Sequence, residues 1–490
     1  MTFMFASRVV RRATTLAFAA GLALPAAAAA QQQSSLSSLS LEELMRLEVE
    51  PVFGASRRLQ PVTEAPASIT IVTAEDIRLF GYRTLADILR SARGLYVTWD
   101  RNYHYAGVRG FSVPGDYSTR VLLLVNGHRM NDNVYDQASI GPDFGLDVST
   151  FERVEIIRGP ASALYGTNAF FGVVNVITKK GASVDGLSVE ADGGTLGTAS
   201  LRSSFGRKLD NGVAFLVSAT GSRTSGEGQI YFPAYDDPST NFGVAEGMDG
   251  SRFGQFYSQV STRRFTFTGA YGRRIRHVPT AAFGTLFNDD RFTTDDERGF
   301  VDGQYDRAFG RVRLNLRGYL DHYEYRGHYP YESVTLDDPT YVQLDGGVGR
   351  WWGGEARATS EINDQHAITA GVEFRRNRQQ RQWVIDADDP GADFDQRANS
   401  HVFAAYAQDE IKVVDRLRLH LGARVDSYAD TSRVTPRAAV IFNRSANEAV
   451  KLLYGQAFRA PNAYERDYYS PNRDSDTPLT PESVRTFEIV

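Results

Sequence analysis

The residues able to make or break covalent bonds are poorly arranged for doing so. The 490-residue chain has no Cys, which removes cysteine nucleophiles, thiolate-bound zinc and iron–sulfur clusters at once. Ser162 lies in Pro160-Ala161-Ser162-Ala163-Leu164 and lacks the Gly-x-Ser-x-Gly setting that exposes a nucleophilic hydroxyl on a strand-to-helix elbow. The eight His residues are scattered without metal-ligand spacing, and His104 and His128 read as ordinary polar residues because a metal or catalytic site needs convergent partners. Glu75, Asp76 and Asp87 fall where the first turn of a helix favours negative charge. Neither an enzyme nor a bound cofactor or metal is expected. The net charge of −5 and an isoelectric point near 6.0 give no basic face for nucleic acid. What remains is binding chemistry on loops rich in Tyr, Asp, Asn and Gly, a composition that solvated loops also have.

Four short strands between Gly107 and Lys180 supply the first scaffold. They are carried by Val108-Arg109-Gly110-Phe111, Val121-Leu122-Leu123-Leu124-Val125-Asn126-Gly127, Val154-Glu155-Ile156-Ile157-Arg158-Gly159-Pro160 and Val173-Val174-Asn175-Val176-Ile177-Thr178. Each is rich in Val, Ile or Leu and most end in Gly, Asn-Gly or Gly-Pro, the signature of a small mixed domain with tight turns. Upstream, Glu64 to Val72 reads as another strand, Glu75-Asp76-Ile77 opens a helix, and Leu85, Ile88 and Leu89 mark a second helix at i, i+3, i+4.

The start of the chain has a basic n-region at Arg8, Arg11 and Arg12, an apolar run from Ala13 to Pro25, and alanines before Gln31. This pattern predicts a secretory signal peptide over 1–30, too short in its apolar part to span a membrane as a helix. Residues 31–50 read as a flexible segment with a short helix from Leu41 to Leu47, opened by a capping box at Ser40.

Beyond Lys180 the periodicity changes to two. Leu417, Leu419, Leu421, Ala423 and Val425 share one face of a strand, opposite Arg416, Arg418, His420, Arg424 and Asp426. Val312, Leu314 and Leu316 stand likewise opposite Arg311, Arg313, Asn315 and Arg317. Many such segments exceed the roughly nine residues a tilted membrane strand needs, and short turns alternate with long polar loops. The loops are expected at residues 225–251, 277–299, 327–346, 379–400 and 460–481. A mean hydropathy of −0.34 with 12% aromatic residues suits a barrel whose apolar residues are spread over alternate positions.

The pieces from Val108 to Thr178, taken in this order with Ser162-Ala163-Leu164-Tyr165-Gly166, resemble the plug domain of the TonB-dependent outer-membrane receptors. Tyr406-Ala407-Gln408-Asp409-Glu410, Tyr454-Gly455-Gln456-Ala457-Phe458-Arg459 and Leu479-Thr480-Pro481-Glu482 are similar to segments of the same family's barrel. The resemblance implies a membrane β-barrel of antiparallel strands with an N-terminal α+β plug, the plug over 51–180 and the N-terminal part of the barrel over 181–490. The alternation gives about fourteen strands, against about 22 in a plugged transporter barrel, so the barrel is expected to be incomplete here.

The family implies further roles. A strand between leader and plug pairs with TonB, the periplasmic energy transducer, and Glu48-Val49-Glu50-Pro51-Val52-Phe53 is the extended candidate. The plug's two Arg-Gly turns place Arg109 and Arg158 against the wall, and strand parity gives Glu410 and Glu488 as inward partners, with Phe403, Ala405, Ala407, Phe487 and Ile489 facing outer-membrane lipid. Tyr103, Tyr105, Tyr117 and Tyr135 on plug loops are candidates for contacting the ligand. The expected function is active uptake of a scarce large nutrient, first a ferric siderophore, with cobalamin or an oligosaccharide as alternatives. A passive porin is the competing class; it would leave residues 64–180 without a role.

Overall fold

The computed structural model describes residues 51–112, 115–334, 338–428, 431–468 and 479–490. The leader expected over 1–30, the helix expected from Leu41 to Leu47, and Glu48, Val49 and Glu50 lie outside the described residues. The globular domain is built on β1 (Ser68–Thr73), β2 (Leu95–Trp99), β3 (His104–Val108), β4 (Val121–Val125), β5 (His128–Arg129), β6 (Phe151–Arg158) and β7 (Gly172–Thr178). Five of these form one sheet in the order β1-β6-β7-β4-β5, mixed because β4 runs parallel to β7, while β2 and β3 form a separate hairpin. The helices Ala74–Phe80 and Leu85–Ser91 each begin with a reciprocal capping box, Thr73 with Asp76 and Thr84 with Asp87. They bury Ile77, Leu85, Ile88 and Leu89 against one face of the sheet, which contributes Leu123, Val154, Ile156 and Val174. The other face packs Leu122, Leu124, Ile157 and Val173 against Val52, Ala65 and Tyr165. Every residue of β4 is buried, so it reads as an uninterrupted apolar run.

The wall begins with β8 (Gly186–Gly193), β9 (Ala199–Lys208) and β10 (Ala214–Thr224), and a two-stranded ribbon of β11 (Gln229–Tyr231) and β12 (Val244–Glu246) stands in the loop that follows. It continues through β13 (Ser251–Ser261), β14 (Phe265–His277), β15 (Thr293–Phe309), β16 (Val312–Glu332), β17 (Thr340–Glu361) and β18 (His366–Ile385). The last strands are β19 (Phe394–Val414), β20 (Leu417–Ser427), β21 (Ser432–Asn443), β22 (Ala449–Arg459) and β23 (Glu482–Ile489). Fourteen of them make one antiparallel sheet, each strand beside its neighbour in sequence, with β8 and β23 at its two ends and not paired with each other.

The faces follow the alternation. Leu421 and Val425 are exposed on the outer face of β20 while His420, Arg424 and Asp426 are buried; on β16, Val312 and Leu316 are exposed while Asn315 is buried. Two expected loops are strand instead. The hairpins β16–β17 and β18–β19 run on past the height a membrane strand needs, leaving only residues 333–339 and 386–393 between strands. Above the apolar band of β16 the outward residues turn polar, as at His322, Glu324 and Arg326, while Tyr323 and Tyr325 are buried inward, so the outward apolar signal ends while backbone pairing continues.

Candidate functional site

The globular domain meets the inward face of the wall through buried charges. Its first element is a strap: Val52 is buried and its backbone pairs with Gln60, and the Phe53 and Gly54 N–H groups donate to the Glu155 carboxylate. Arg57, 7% exposed, enters between two wall acids, Glu355 on β17 and Glu373 on β18, the latter at 2.7 Å. Glu373 is shared with Arg424 of β20 at 2.7 Å, and Arg424 is held in turn by Asp426 at 2.9 Å. The Arg57 guanidinium lies 4.5 Å from the Tyr165 ring centroid and 4.8 Å from that of Tyr406. Burial by itself lowers its pKa, but Glu355, Tyr406 and Glu373 more than reverse this and raise it, so the group stays charged.

Wall donors also grip the strap's main chain. Gln408 donates to the Ser56 carbonyl, Arg437 to those of Ala55 and Pro66, and Lys451 Nζ to those of Val62, Ala65 and Ala67. The strap is irregular backbone buried against a wall, so its carbonyls need such partners.

Of the four residues expected to fasten plug to wall, two meet. Arg109 Nη2 lies 2.6 Å from Glu488 Oε2 on β23. Arg109 has a left-handed φ of 54° and is followed by Gly110 at 84°, a turn that throws the side chain outward. Gly159 makes room for the acid, since a Cβ there would stand 2.4 Å from Glu488 Oε1. Arg158 forms no ion pair with Glu410 or Glu488. It donates to the Arg93 carbonyl instead, and burial together with the neighbouring Arg109 charge lowers its pKa. Two adjacent guanidinium groups compete for one carboxylate. Glu410 pairs with Arg58 at 2.5 Å, because β19 brings it under the strap rather than under the Arg-Gly turns.

Pro51, Val52 and Phe53, expected to lie in an extended segment open to a partner's sheet, are the described half of that segment. Pro51 is exposed, whereas Val52 is buried and Phe53 is bonded to Glu155. An isolated sequence of β-formers does not reveal that its backbone is already engaged.

The four tyrosines expected on plug loops come together, Tyr105 from within β3. Tyr117 is 5.6 Å from Tyr103, 6.0 Å from Tyr105 and 6.4 Å from Tyr135, centroid to centroid. Tyr103 is buried, its hydroxyl donating to Asp296 at 2.9 Å and its ring 4.7 Å from the Arg274 guanidinium. Tyr105 donates to Asp100 at 2.6 Å. Tyr135 rests on Gly347, where a Cβ would come within 2.9 Å of the ring, and extends the patch to Tyr464 at 5.3 Å, itself 4.7 Å from Tyr468. Tyr464 and Tyr468 stand one turn apart at the short helix Ala463–Asp467, capped by Asn462, whose Nδ2 also donates to the Tyr135 carbonyl at 2.8 Å. The i, i+4 spacing of these two rings was the available signal for them.

His128 is more than an ordinary polar residue. It is buried between Asp321, 3.0 Å from Nε2, and Asp302, 3.6 Å from Nδ1, and stacks on Phe300 at 4.4 Å. Arg298 and Arg317 hold the same two acids at 2.5 Å and 2.7 Å. The fold also brings ligand atoms of Glu297, His322 and Glu324 within 4.8 Å of one another, although none of them shares a metal motif in sequence. Arg273, Tyr271 and Arg326 already bond these two acids.

Residues 61–173 match the TonB-dependent receptor plug domain and residues 235–489 the TonB-dependent receptor-like β-barrel. The chain is 25% identical over 455 residues to the vitamin B12 transporter BtuB of Vibrio cholerae, covering 89% of this chain and 66% of the transporter. It is 36% identical over 135 residues to the iron-regulated outer membrane virulence protein of the same species, covering 26% of this chain and 20% of that one. Among solved structures, the ferripyoverdine receptor of Pseudomonas aeruginosa superposes with a TM-score of 0.68 at 15% identity, over 90% of this chain and 62% of the receptor. The ferric enterobactin receptor of that organism gives 0.60 at 19%, over 83% and 64%. At these identities the structural likeness is one of fold, and the chain spans 66% or less of each of these relatives. Matched in chain order by both domains, and folded as a plug held against an antiparallel wall, this chain belongs to the TonB-dependent receptors.

Proposed function

We propose that the protein is an outer-membrane receptor that takes up a scarce, large nutrient actively, driven through its plug by TonB. The observation carrying this reading is Arg57 of the plug buried between Glu355 and Glu373 of the wall. A passive channel gains nothing from a domain fixed across its lumen by buried charge. On this reading 1–30 is a cleaved leader, 51–180 the plug and 181–490 the N-terminal part of the barrel. The segment from Glu48 to Phe53 receives the pull, and Glu155 and the wall groups around the strap resist it.

The first substrate is a ferric siderophore. A patch of phenol rings at Tyr105, Tyr117, Tyr135, Tyr464 and Tyr468 suits stacking on flat aromatic chelators, and the likeness to ferripyoverdine and ferric enterobactin receptors supports it. Cobalamin is the second reading, favoured by the 455-residue likeness to a vitamin B12 transporter. The test is uptake of radioiron catecholate complexes and of labelled cobalamin by cells carrying or lacking the gene, with and without a protonophore. Uptake of one ligand that stops when the proton gradient collapses is the expected result. Uptake indifferent to the gradient favours the porin. A Tyr117→Ala, Tyr135→Ala variant should weaken binding of the transported ligand by about tenfold or more, each stacking ring contributing about 1 kcal/mol.

A further inference from the structure

The outer face of the wall carries a row of cationic side chains just where its apolar band ends. On β16 the outward apolar set runs from Val312 to Leu320, about 20 Å along the membrane normal at the usual strand tilt. Leu320 pairs across with Trp352 of β17, and the next outward pair is His322 with Arg350. Trp352 pairs with Arg376 of β18, and Arg376 with His401 of β19. Arg378 sits at the irregularity between Asn377 and Gln380, where an extra residue re-aims the strand and leaves the side chain exposed. Trp352, Phe374, Arg376, Arg378 and Asn399 line an outward groove of about 370 Å³.

The neighbours on this face show what is unusual here. Arg273 pairs with Asp295, Arg326 with Glu324, and Arg381 and Arg397 with Asp395. Among the described residues Arg350, Arg376 and Arg378 have no carboxylate partner; Arg376 donates to Asn399 Oδ1 at 2.9 Å, which fixes its direction. Three uncompensated guanidinium groups are therefore held above an aromatic pair, Trp352 and Phe374, whose centroids are 5.5 Å apart. The row lies toward the end of the wall with the long connections at 225–250 and 278–292, the outer side in barrels of this kind.

We propose that Arg350, Arg376 and Arg378 form a binding site for the phosphorylated sugar headgroup of an outer-leaflet glycolipid, lipid A, whose acyl chains lie along Trp352 and Phe374. Guanidinium forks bind phosphate oxygens in pairs, and the aromatic rings belong at the level where headgroup meets acyl chain. This rests on the outer-membrane reading above and adds to it a specific lipid on named residues.

The test is native mass spectrometry of the detergent-solubilised full-length protein titrated with bis-phosphorylated hexa-acyl lipid A. Wild type should retain the lipid, and the Arg350→Ala, Arg376→Ala, Arg378→Ala variant should bind it about tenfold or more weakly, as should wild type offered the dephosphorylated lipid. An Arg273→Ala, Asp295→Ala variant, which removes a paired arginine from the same face, should bind like wild type. Equal binding by the triple variant, equal binding of the dephosphorylated lipid, or displacement by inorganic phosphate alone would overturn the site. If the triple variant fails to fold, Arg376→Glu alone carries the same expectation. Density-gradient fractionation separates the two readings: protein in the outer membrane with no lipid selectivity sinks only the site, whereas protein absent from that fraction sinks both.

Discussion

The Glu155 carboxylate, buried in the middle of β6, accepts the backbone N–H of Gly54 at 2.9 Å. It also accepts from Phe53 at 3.2 Å, Asn175 Nδ2 at 3.1 Å and Arg153 Nη2 at 2.9 Å, so one acid joins the strap to the middle of the plug sheet. The strap cannot slide, because a Cβ at Gly54 would lie 2.5 Å from Ile157 Cδ1. Glu155→Ala strands two main-chain donors in a buried place, at about 1–3 kcal/mol for each. The expected consequence is a loosened strap, read as faster native-state trypsin cleavage at Arg57 and Arg58. Cleavage at the wild-type rate would show that the wall alone holds it.

Arg57 should matter most among the plug–wall cations. Removing it leaves Glu355 and Glu373 facing each other with less compensation in a place where Glu355 is 8% exposed. Breaking such a buried pair costs about 3–5 kcal/mol. Arg57→Ala is expected to lower the thermal midpoint and to admit large antibiotics normally excluded by the outer membrane. A double-mutant cycle with Glu355→Gln should show a coupling of at least about 1 kcal/mol; additive effects would mean that the pair does not act as a unit.

The Arg109–Glu488 contact should matter much less. Arg109 is 37% exposed, and ion pairs that water reaches are worth about 0–1 kcal/mol. Arg158 donates to the Arg93 carbonyl and has no ion pair among the described residues. The Arg109→Ala, Arg158→Ala double variant is therefore expected to stay within about 1 kcal/mol of wild type and to exclude the same antibiotics. A leak larger than that of Arg57→Ala would reverse the ranking.

Period-two alternation is a local property, and for that reason the orientation of wall residues was legible in the sequence: Tyr406, Gln408 and Glu410 point inward, Phe487 and Ile489 outward, and the fourteen strands themselves could be counted. The plug's helices were legible from the acidic first turn at Glu75 and Asp76 and from the spacing of Leu85, Ile88 and Leu89, which are local signals too; the capping boxes at Thr73 and Thr84 emerge in the structure. Partners were not. Parity gives Glu410 a face but neither a height nor a neighbour, and both depend on where a strap more than three hundred residues away docks; Arg58 took the acid that the Arg-Gly turns were expected to hold. The adjacent Arg57 and Arg58 were visible, but an Arg pair in an irregular stretch reads as solvated until the wall is in place. His128 was obscured for the same reason, since Asp302 and Asp321 come from two different strands.

His128 gives the plug–wall contact a pH dependence whose sign can be stated. Burial pushes its pKa down, but Asp321 on β16 and Asp302 on β15 outweigh burial and raise it above the ordinary 6.5. The nearby cations Arg298 and Arg317 are each committed to one of those acids and do not reverse the direction. A group whose pKa is higher folded than unfolded binds its proton more tightly in the native state. Its stabilisation is therefore complete below about pH 6.5, the unfolded value, and is lost as pH rises through the folded value. Chemical denaturation of the wild-type protein followed from mildly acidic to mildly alkaline pH should show stability falling across that window. His128→Gln, which keeps a donor toward Asp321 but cannot take a proton, should be less stable than wild type at the acidic end and should lack this component of the slope. A slope unchanged by the substitution would assign the pH dependence to another group and leave His128 a neutral ring stacked on Phe300.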